Sequence, residues 1–202
     1  LDLRGMTGVD FDSYAKKSSA ECWRQTSIPV SVGIAPSKTL AKIASKLCKR
    51  YPKLHGGCYM HRPQDIEKVL RKFTTEDVWG IGRKTAAKLH YMSINTAWDY
   101  TQMKEYAVRK MFALPGLRTW MELRGEPCIE FEDGFEPKQS ICVSRSFAKE
   151  ITDSEQLCEQ IANFASTMAE KLRKERSVVL EMAVFAFTNR FKDNVPQTYG
   201  NS

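Results

Sequence analysis

The chain lacks most of the signatures that assign a function outright. No apolar run in its 202 residues approaches the roughly 18 that a membrane helix needs. The first residues show no basic stretch followed by an apolar one. Six cysteines, at 22, 48, 58, 128, 142 and 158, form no CxxC pair, and Cys58 with His61 in CYMH has no second couple at metal-ligand spacing. Structural zinc is therefore not expected, and reduced, buried thiols are. No G-x-x-x-x-G-K loop occurs, which removes a Walker-type phosphate site. There is also no initiator Met. LDLRGM reads as the interior of a strand, and the chain as a piece of a longer protein.

What is present is a chain that is 42% hydrophobic, long enough for one large domain or two to three small ones, with a net charge of +7. The charge is uneven. Residues 1–50 hold nine Lys/Arg against four Asp/Glu, residues 51–128 hold thirteen against eight, and residues 129–202 hold nine against twelve. Four acids crowd into IEFEDGFEP (129–137). The first two thirds are thus the basic part, which admits a nucleic-acid partner without requiring one.

Periodicity divides the chain in the same places. Apolar or small residues at 11, 14, 15, 18/19, 22 and 23 predict an amphipathic helix from Asp10 to Gln25. IPVSVGIA (28–35) reads as a strand, and PSKTLAKIASKLCKRY as a helix opening on Pro36 and Ser37. Its apolar face is Leu40, Ile43, Ala44 and Leu47, and its other face carries Lys38, Lys42, Lys46 and Lys49. Residues 1–50 therefore read as the later part of an α/β layer. HGG (55–57) reads as a turn and CYMH as a short strand, and from Arg62 to Gly125 the pattern becomes short helices broken by turns: PQDIEKVLRKF, TTEDVW, RKTAAKLHYM, NTAWDYTQM, KEYAVRKMFA and LRTWMELRG. None is long enough to stand alone, so they pack as a small all-α unit. IEFEDGFEP is a linker by composition. Beyond it, KQSICVSRSFAKEI reads as a strand, TDSEQLCEQIANFASTMAEKLRKERS as a helix and VVLEMAVFAFTNRF as a long strand, the first half of a split βαββαβ unit.

Two stretches carry chemistry. In VWGIGRKTAAKLH (78–90), glycines before a helix let a tight turn present backbone N–H groups at the positive end of the helix dipole, and Arg83 and Lys84 add charge there. That is a sequence-independent phosphate grip; the plain alternative is an ordinary turn with a solvated basic face. Val78, Ile81, Ala86 and Leu89 are spaced to pack the hairpin together. LPGLRTWMELRG (114–125) is a poorer second hairpin, in which Arg118 could face a backbone but a core Trp helix is the safer reading. In GIAPSKTLAKIASK, a strand enters a helix whose first turn bears Lys38, which places an ammonium where an anion could bind; the alternative is again a solvated Lys face.

GIAPSKTLAKIASK followed about forty residues later by DVWGIGRKTAAKL resembles the Y-family, or translesion, DNA polymerases, in which this order spans the end of the palm and the thumb. SICVSRSFAKEITD looks like the opening of their little-finger domain. KQSICVSRSF, AEKLR, FTNRF and YGNS in that order resemble the UmuC branch, the catalytic subunits of bacterial DNA polymerase V. The resemblance implies an α+β multidomain fold: residues 1–50 the C-terminal part of the palm, 51–128 a helix-hairpin-helix thumb, 129–137 the linker, and 138–202 the first half of the little finger. It implies template-directed nucleotidyl transfer with two Mg²⁺ ions. LDL is similar to the tail of the family's S-I-D-E-A-F-x-D-L strand, so the catalytic Asp–Glu pair is expected just upstream, and Asp2 matches a non-catalytic acid of that strand. The fragment should then lack the first part of the palm and the fingers, hold no metal and be inactive alone.

By the same resemblance Lys38 contacts the triphosphate of the incoming nucleotide. Gly80, Ile81, Gly82, Arg83 and Lys84 hold the primer backbone, and Ser140, Ser144 and Arg145 lie along DNA from the little finger. Ser93 departs from the family, where a Gly follows the second hairpin helix in many relatives. The implied setting is the cytoplasmic SOS response to DNA damage, with primer–template DNA and a dNTP as ligands and UmuD-type subunits, a RecA filament and the sliding clamp as partners of the full-length protein. Half a sheet would leave an apolar edge at residues 178–188, a dimerisation surface. Two other readings stay open on the residues alone: a non-catalytic helix-hairpin-helix module of DNA repair, and a helical interaction domain whose basic charge is incidental.

Overall fold

Asp10 opens the first helix. Its carboxylate accepts from the Asp12 N–H at 3.2 Å, and α1 runs Phe11–Thr26. The computed structural model describes residues 1–130, 139–188 and 199–201, the last three by their backbone alone. They fall into two compact units, Leu1–Glu132 and Asp133–Ser202.

In the first unit β1 (Val32–Ile34) lies parallel to β2 (Gly57–Tyr59), with Val32 opposite Gly57 and Ile34 opposite Tyr59. α2 (Lys38–Arg50) connects them with a three-residue 3₁₀ turn, Pro52–Leu54. The two helices cover opposite faces of this short sheet, and two glycines allow it. A Cβ on Gly33 would sit 2.2 Å from the Ala41 carbonyl of α2, and one on Gly57 would sit 2.3 Å from the Lys16 nitrogen of α1. The layer thus extends through Tyr59, past residue 50. The strand expected at LDLRGM is not formed. Met6 N–H closes a turn onto Leu3 O at 3.3 Å, and among the described residues no strand lies beside it to pair with.

The helical part follows: α3 (Pro63–Leu70), α4 (Arg83–Tyr91), α5 (Ala97–Thr101) and α6 (Glu105–Leu123). TTEDVW forms only a 3₁₀ turn at Thr75–Asp77, too few residues before the glycines to complete an α-helix. α6 runs through both segments read as separate helices, broken at Ala113, whose φ of 53° and ψ of −158° are non-helical, just ahead of Pro115. One core joins these helices to α2: Leu40, Ile43 and Ala44 pack in the same cluster as Phe73, Val78, Ile81, Leu89, Tyr100 and Leu117. The expected boundary at residue 50 therefore falls inside a continuous core.

The second unit holds α7 (Ser154–Glu175), capped by Asp153, and an antiparallel pair of β3 (Phe185–Phe187) with β4 (Tyr199–Asn201). The helix matches the sequence reading; the strands do not. Residues 139–153 form no regular strand, because no described segment pairs with them, although exposure still alternates from Ser140 to Ser144 as it would in one. Of the long strand read from 178 to 191, the described part, 178–188, is regular only at 185–187, and 178–184 carries no ladder. FTNRF beyond Thr188, most of the 129–137 linker and the side chains of YGNS lie outside the described residues. The fold is mixed α/β and mostly helical. No helix among the described residues is long and apolar enough to cross a membrane.

Candidate nucleic-acid interface

The hairpin is built by burying its sides and exposing its tip. Val78 and Ile81 are buried, as are Ala86 and Leu89 on α4, so the four residues spaced for packing do pack. Between them Gly80 takes φ +95°, and its α-carbon lies so close to α6 that a Cβ would stand 2.4 Å from Thr119 Oγ1. Only glycine fits there. Gly82 is different: its φ is −83° and a Cβ would meet nothing within 4 Å. Gly82, Arg83 and Lys84 are all exposed, and no side chain caps the N-terminus of α4. Uncapped N–H groups, the positive end of the dipole and two cations therefore share one exposed corner. Ile81 contributes differently from its neighbours. Its side chain is buried and its N–H donates to Val78 O at 3.2 Å, so it plugs the hairpin into the core and offers neither group to a ligand.

Lys38 is the first residue of α2, behind Ser37, whose hydroxyl accepts from the Leu40 N–H at 3.3 Å. Its ammonium donates to the Glu130 carbonyl at 2.5 Å. The helix ties this lysine to the hairpin. Lys46 lies 3.4 Å from Asp77 Oδ1 and also donates to the Asp77 carbonyl, and Arg50 pairs with Asp77 Oδ2. Asp77 precedes Gly80 by three residues. Burial alone would raise its carboxyl, but the Arg50 hydrogen bond and the Lys46 charge outweigh that and hold it below its ordinary value.

Asp2 is exposed and bound to Arg4, whose Nε donates to Oδ2 at 2.8 Å; that hydrogen bond holds the carboxyl down at about 2. In the second unit Ser140, Ser144 and Arg145 are exposed on one extended stretch, and Arg145 Nη1 donates to Ser144 O at 3.2 Å. Ser140 and Cys142 line a shallow cleft with Lys171 and Lys174 of α7. Three of the six thiols read as buried, Cys22, Cys142 and Cys158, are exposed, while burial raises the Cys48 thiol to about 11. Sequence reasoning missed Asp77 and Glu122, which hold α2 in place, because nothing in TTEDVW or WMELRG marks an acid whose partners lie tens of residues away.

A family model described as the impB/mucB/samB family C-terminal domain matches residues 138–201. Protein UmuC of Salmonella typhimurium is 36% identical over 203 residues, covering 100% of this chain and 48% of the relative. Protein SamB of the same organism is 35% identical over 204 residues, with the same two coverages. DNA polymerase IV of Oceanobacillus iheyensis is 28% identical over 151 residues, 74% of this chain and 35% of that protein. The chain spans about half the length of the curated relatives it matches most fully. Identity at this level along the whole chain, joined to the domain match over its last third, shows that the chain belongs to the impB/mucB/samB family, the UmuC-type branch of the Y-family DNA polymerases.

Proposed function

We propose that this chain grips the primer–template backbone through the hairpin at 80–84 and the triphosphate of an incoming nucleotide through Lys38, as part of an error-prone polymerase that copies damaged DNA in the SOS response. The observation that carries the reading is Gly82. The fold makes no demand for glycine there, since a Cβ would meet nothing and φ is ordinary, yet the residue stands at the uncapped, cationic start of α4. A missing side chain at such a point leaves room for a phosphate oxygen to reach backbone N–H groups. In the same reading residues 1–50, with the β2 strand that pairs to them, belong to a palm, the helices α3 to α6 within 51–128 to a thumb that shares their core, and Ser140, Ser144 and Arg145 follow the DNA from a little finger.

The whole protein would use Mg²⁺ for nucleotidyl transfer. Among the described residues no three His, Cys, Asp or Glu side chains come together to hold a metal, and Asp2 is engaged by Arg4. The chain by itself would incorporate no nucleotide. UmuD-type subunits, a RecA filament, the sliding clamp and a cytoplasmic setting belong to the proposal for the whole protein.

The test is the salt dependence of binding to a primer–template duplex. Binding should be weak and indifferent to sequence, with log K falling linearly in log salt. Arg83→Ala with Lys84→Ala should lower that slope by roughly one to two units. A double variant indistinguishable from the parent chain removes the hairpin from the DNA site.

A further inference from the structure

Glu122, near the end of α6, is fully buried, and its carboxylate is spent on backbone. Oε2 accepts from the Thr39 N–H at 2.8 Å, in the first turn of α2. Oε1 accepts from the Cys128 and Ile129 N–H groups at 3.0 and 3.3 Å. The backbone carbonyl of the same residue accepts from the Ser37 hydroxyl at 2.6 Å. The residues on either side of Lys38 are therefore both fastened to Glu122. So is Ile129, the neighbour of Glu130, whose carbonyl receives the Lys38 ammonium. One side chain thus fixes where the lysine starts and holds the segment whose carbonyl its ammonium meets.

The chemistry explains why an acid sits there. Three N–H donors converge on two oxygens, and one of them is at a helix N-terminus, where a negative charge is favoured. A glutamine has one oxygen and must turn its NH₂ toward at least one of these donors. We infer that Glu122 is a positioning residue for the nucleotide site: it sets the reach of Lys38 toward a triphosphate and holds the Glu130 carbonyl with which the phosphate shares the ammonium. This rests on the reading of Lys38 as the triphosphate contact.

Inorganic tripolyphosphate is the probe, titrated calorimetrically at low salt into the full 202-residue chain. Lys38→Ala should weaken binding about tenfold, the loss of one charge-assisted contact. Glu122→Gln should weaken it several-fold, and the double variant should bind no more weakly than Lys38→Ala alone, because Glu122 acts only through the lysine. Should Glu122→Gln fail to fold, Glu122→Asp keeps the charge but draws it back by one methylene and should give the same pattern. Unchanged affinity in the Glu122 variant while Lys38→Ala is impaired overturns the inference and leaves the Lys38 reading standing. A Glu122 loss that persists in full in the Lys38→Ala background overturns it too, as the mark of a purely structural residue. Wild-type affinity in Lys38→Ala overturns the reading of Lys38 itself, and the inference with it.

Discussion

The two hairpin glycines should respond oppositely to the same substitution. Alanine at Gly80 must adopt φ near +95°, a strained region that costs about 1–3 kcal/mol for a residue with a Cβ. Its methyl would also stand 2.4 Å from Thr119 Oγ1. Thr119 is buried and its hydroxyl donates to Pro115 O at 3.2 Å, so moving it aside forfeits a hydrogen bond worth about 1 kcal/mol. The sum is about 3 kcal/mol, which for a unit of this size lowers Tm by roughly 10 °C. Alanine at Gly82 meets open space at an ordinary φ. It loses only the small preference of a helix N-cap for Gly over Ala, under about 1 kcal/mol and roughly 3 °C.

Affinity for a primer–template duplex should run the other way once both variants are assayed below their melting points. The Gly82 methyl occupies the approach to the α4 N-terminus and should weaken binding by about tenfold, the equivalent of one lost charge-assisted hydrogen bond. The contact removed is to a neutral amide, so the salt slope should stay as it is, unlike that of the Arg83 and Lys84 variants. Thermal melts followed by circular dichroism, with fluorescence anisotropy on a labelled duplex, give both numbers. Wild-type affinity in Gly82→Ala refutes the backbone grip. A larger loss of stability at Gly82 than at Gly80 refutes the hairpin geometry.

Asp77→Asn should cost about 1 kcal/mol at pH 7, the scale of a partly exposed ion pair. Because the folded carboxyl sits below its ordinary value, the wild-type advantage is present above the unfolded pKa and disappears as pH falls through the folded one. Urea midpoints at pH 7 and pH 3 check it, and an equal gap at both refutes the ion-pair origin. Ser93→Gly should stabilise by roughly 0.5–1 kcal/mol, since Ser93 holds φ +60° between two bonds of a Schellman turn, Ser93 N–H to His90 O and Ile94 N–H to Leu89 O, both 2.9 Å. A lower midpoint than wild type would place a role on the hydroxyl instead. The segment 178–184 carries Val178 and Leu180 at 83% and 98% exposure with no ladder, so two copies should associate along it, and Leu180→Lys should return the chain to monomer. Light scattering that finds only monomer in the parent chain at high concentration contradicts this.

What the sequence made legible was the local part. The 3.6 period placed α1, α2 and α7 within a few residues, and the hairpin's Val78, Ile81, Ala86 and Leu89 could be assigned to a core because their spacing and type leave one face for them. The strands were harder. SICVSRSF has the alternation of a strand and keeps it in its exposure, but a ladder needs a partner, and pairing is a property of two segments rather than one. Ala113 was hidden for the opposite reason: a non-glycine in a non-helical conformation is imposed by the surrounding packing against its own preference. Ser93 was half visible, since the departure from glycine marked the position while the left-handed turn itself persisted.

The acids that organise the site were not legible at all, and their placement has a consequence for how it works. α2 is held at its start by Glu122 and in its later half by Asp77, through Lys46 and Arg50. Eight residues of helix separate Lys38 from Lys46, roughly 12 Å of rigid rise. Leu40, Ile43 and Ala44 bury the intervening face in the core that also takes Val78 and Ile81 of the hairpin. A helix fixed at both ends and packed between them cannot slide without breaking buried contacts, so Lys38 and the Gly80–Lys84 corner keep one spacing. In the proposed function, the grip on the backbone and the contact with the nucleotide would then advance along DNA as one body, and any change in their spacing would have to break the Glu122 or Asp77 contacts or the core between them.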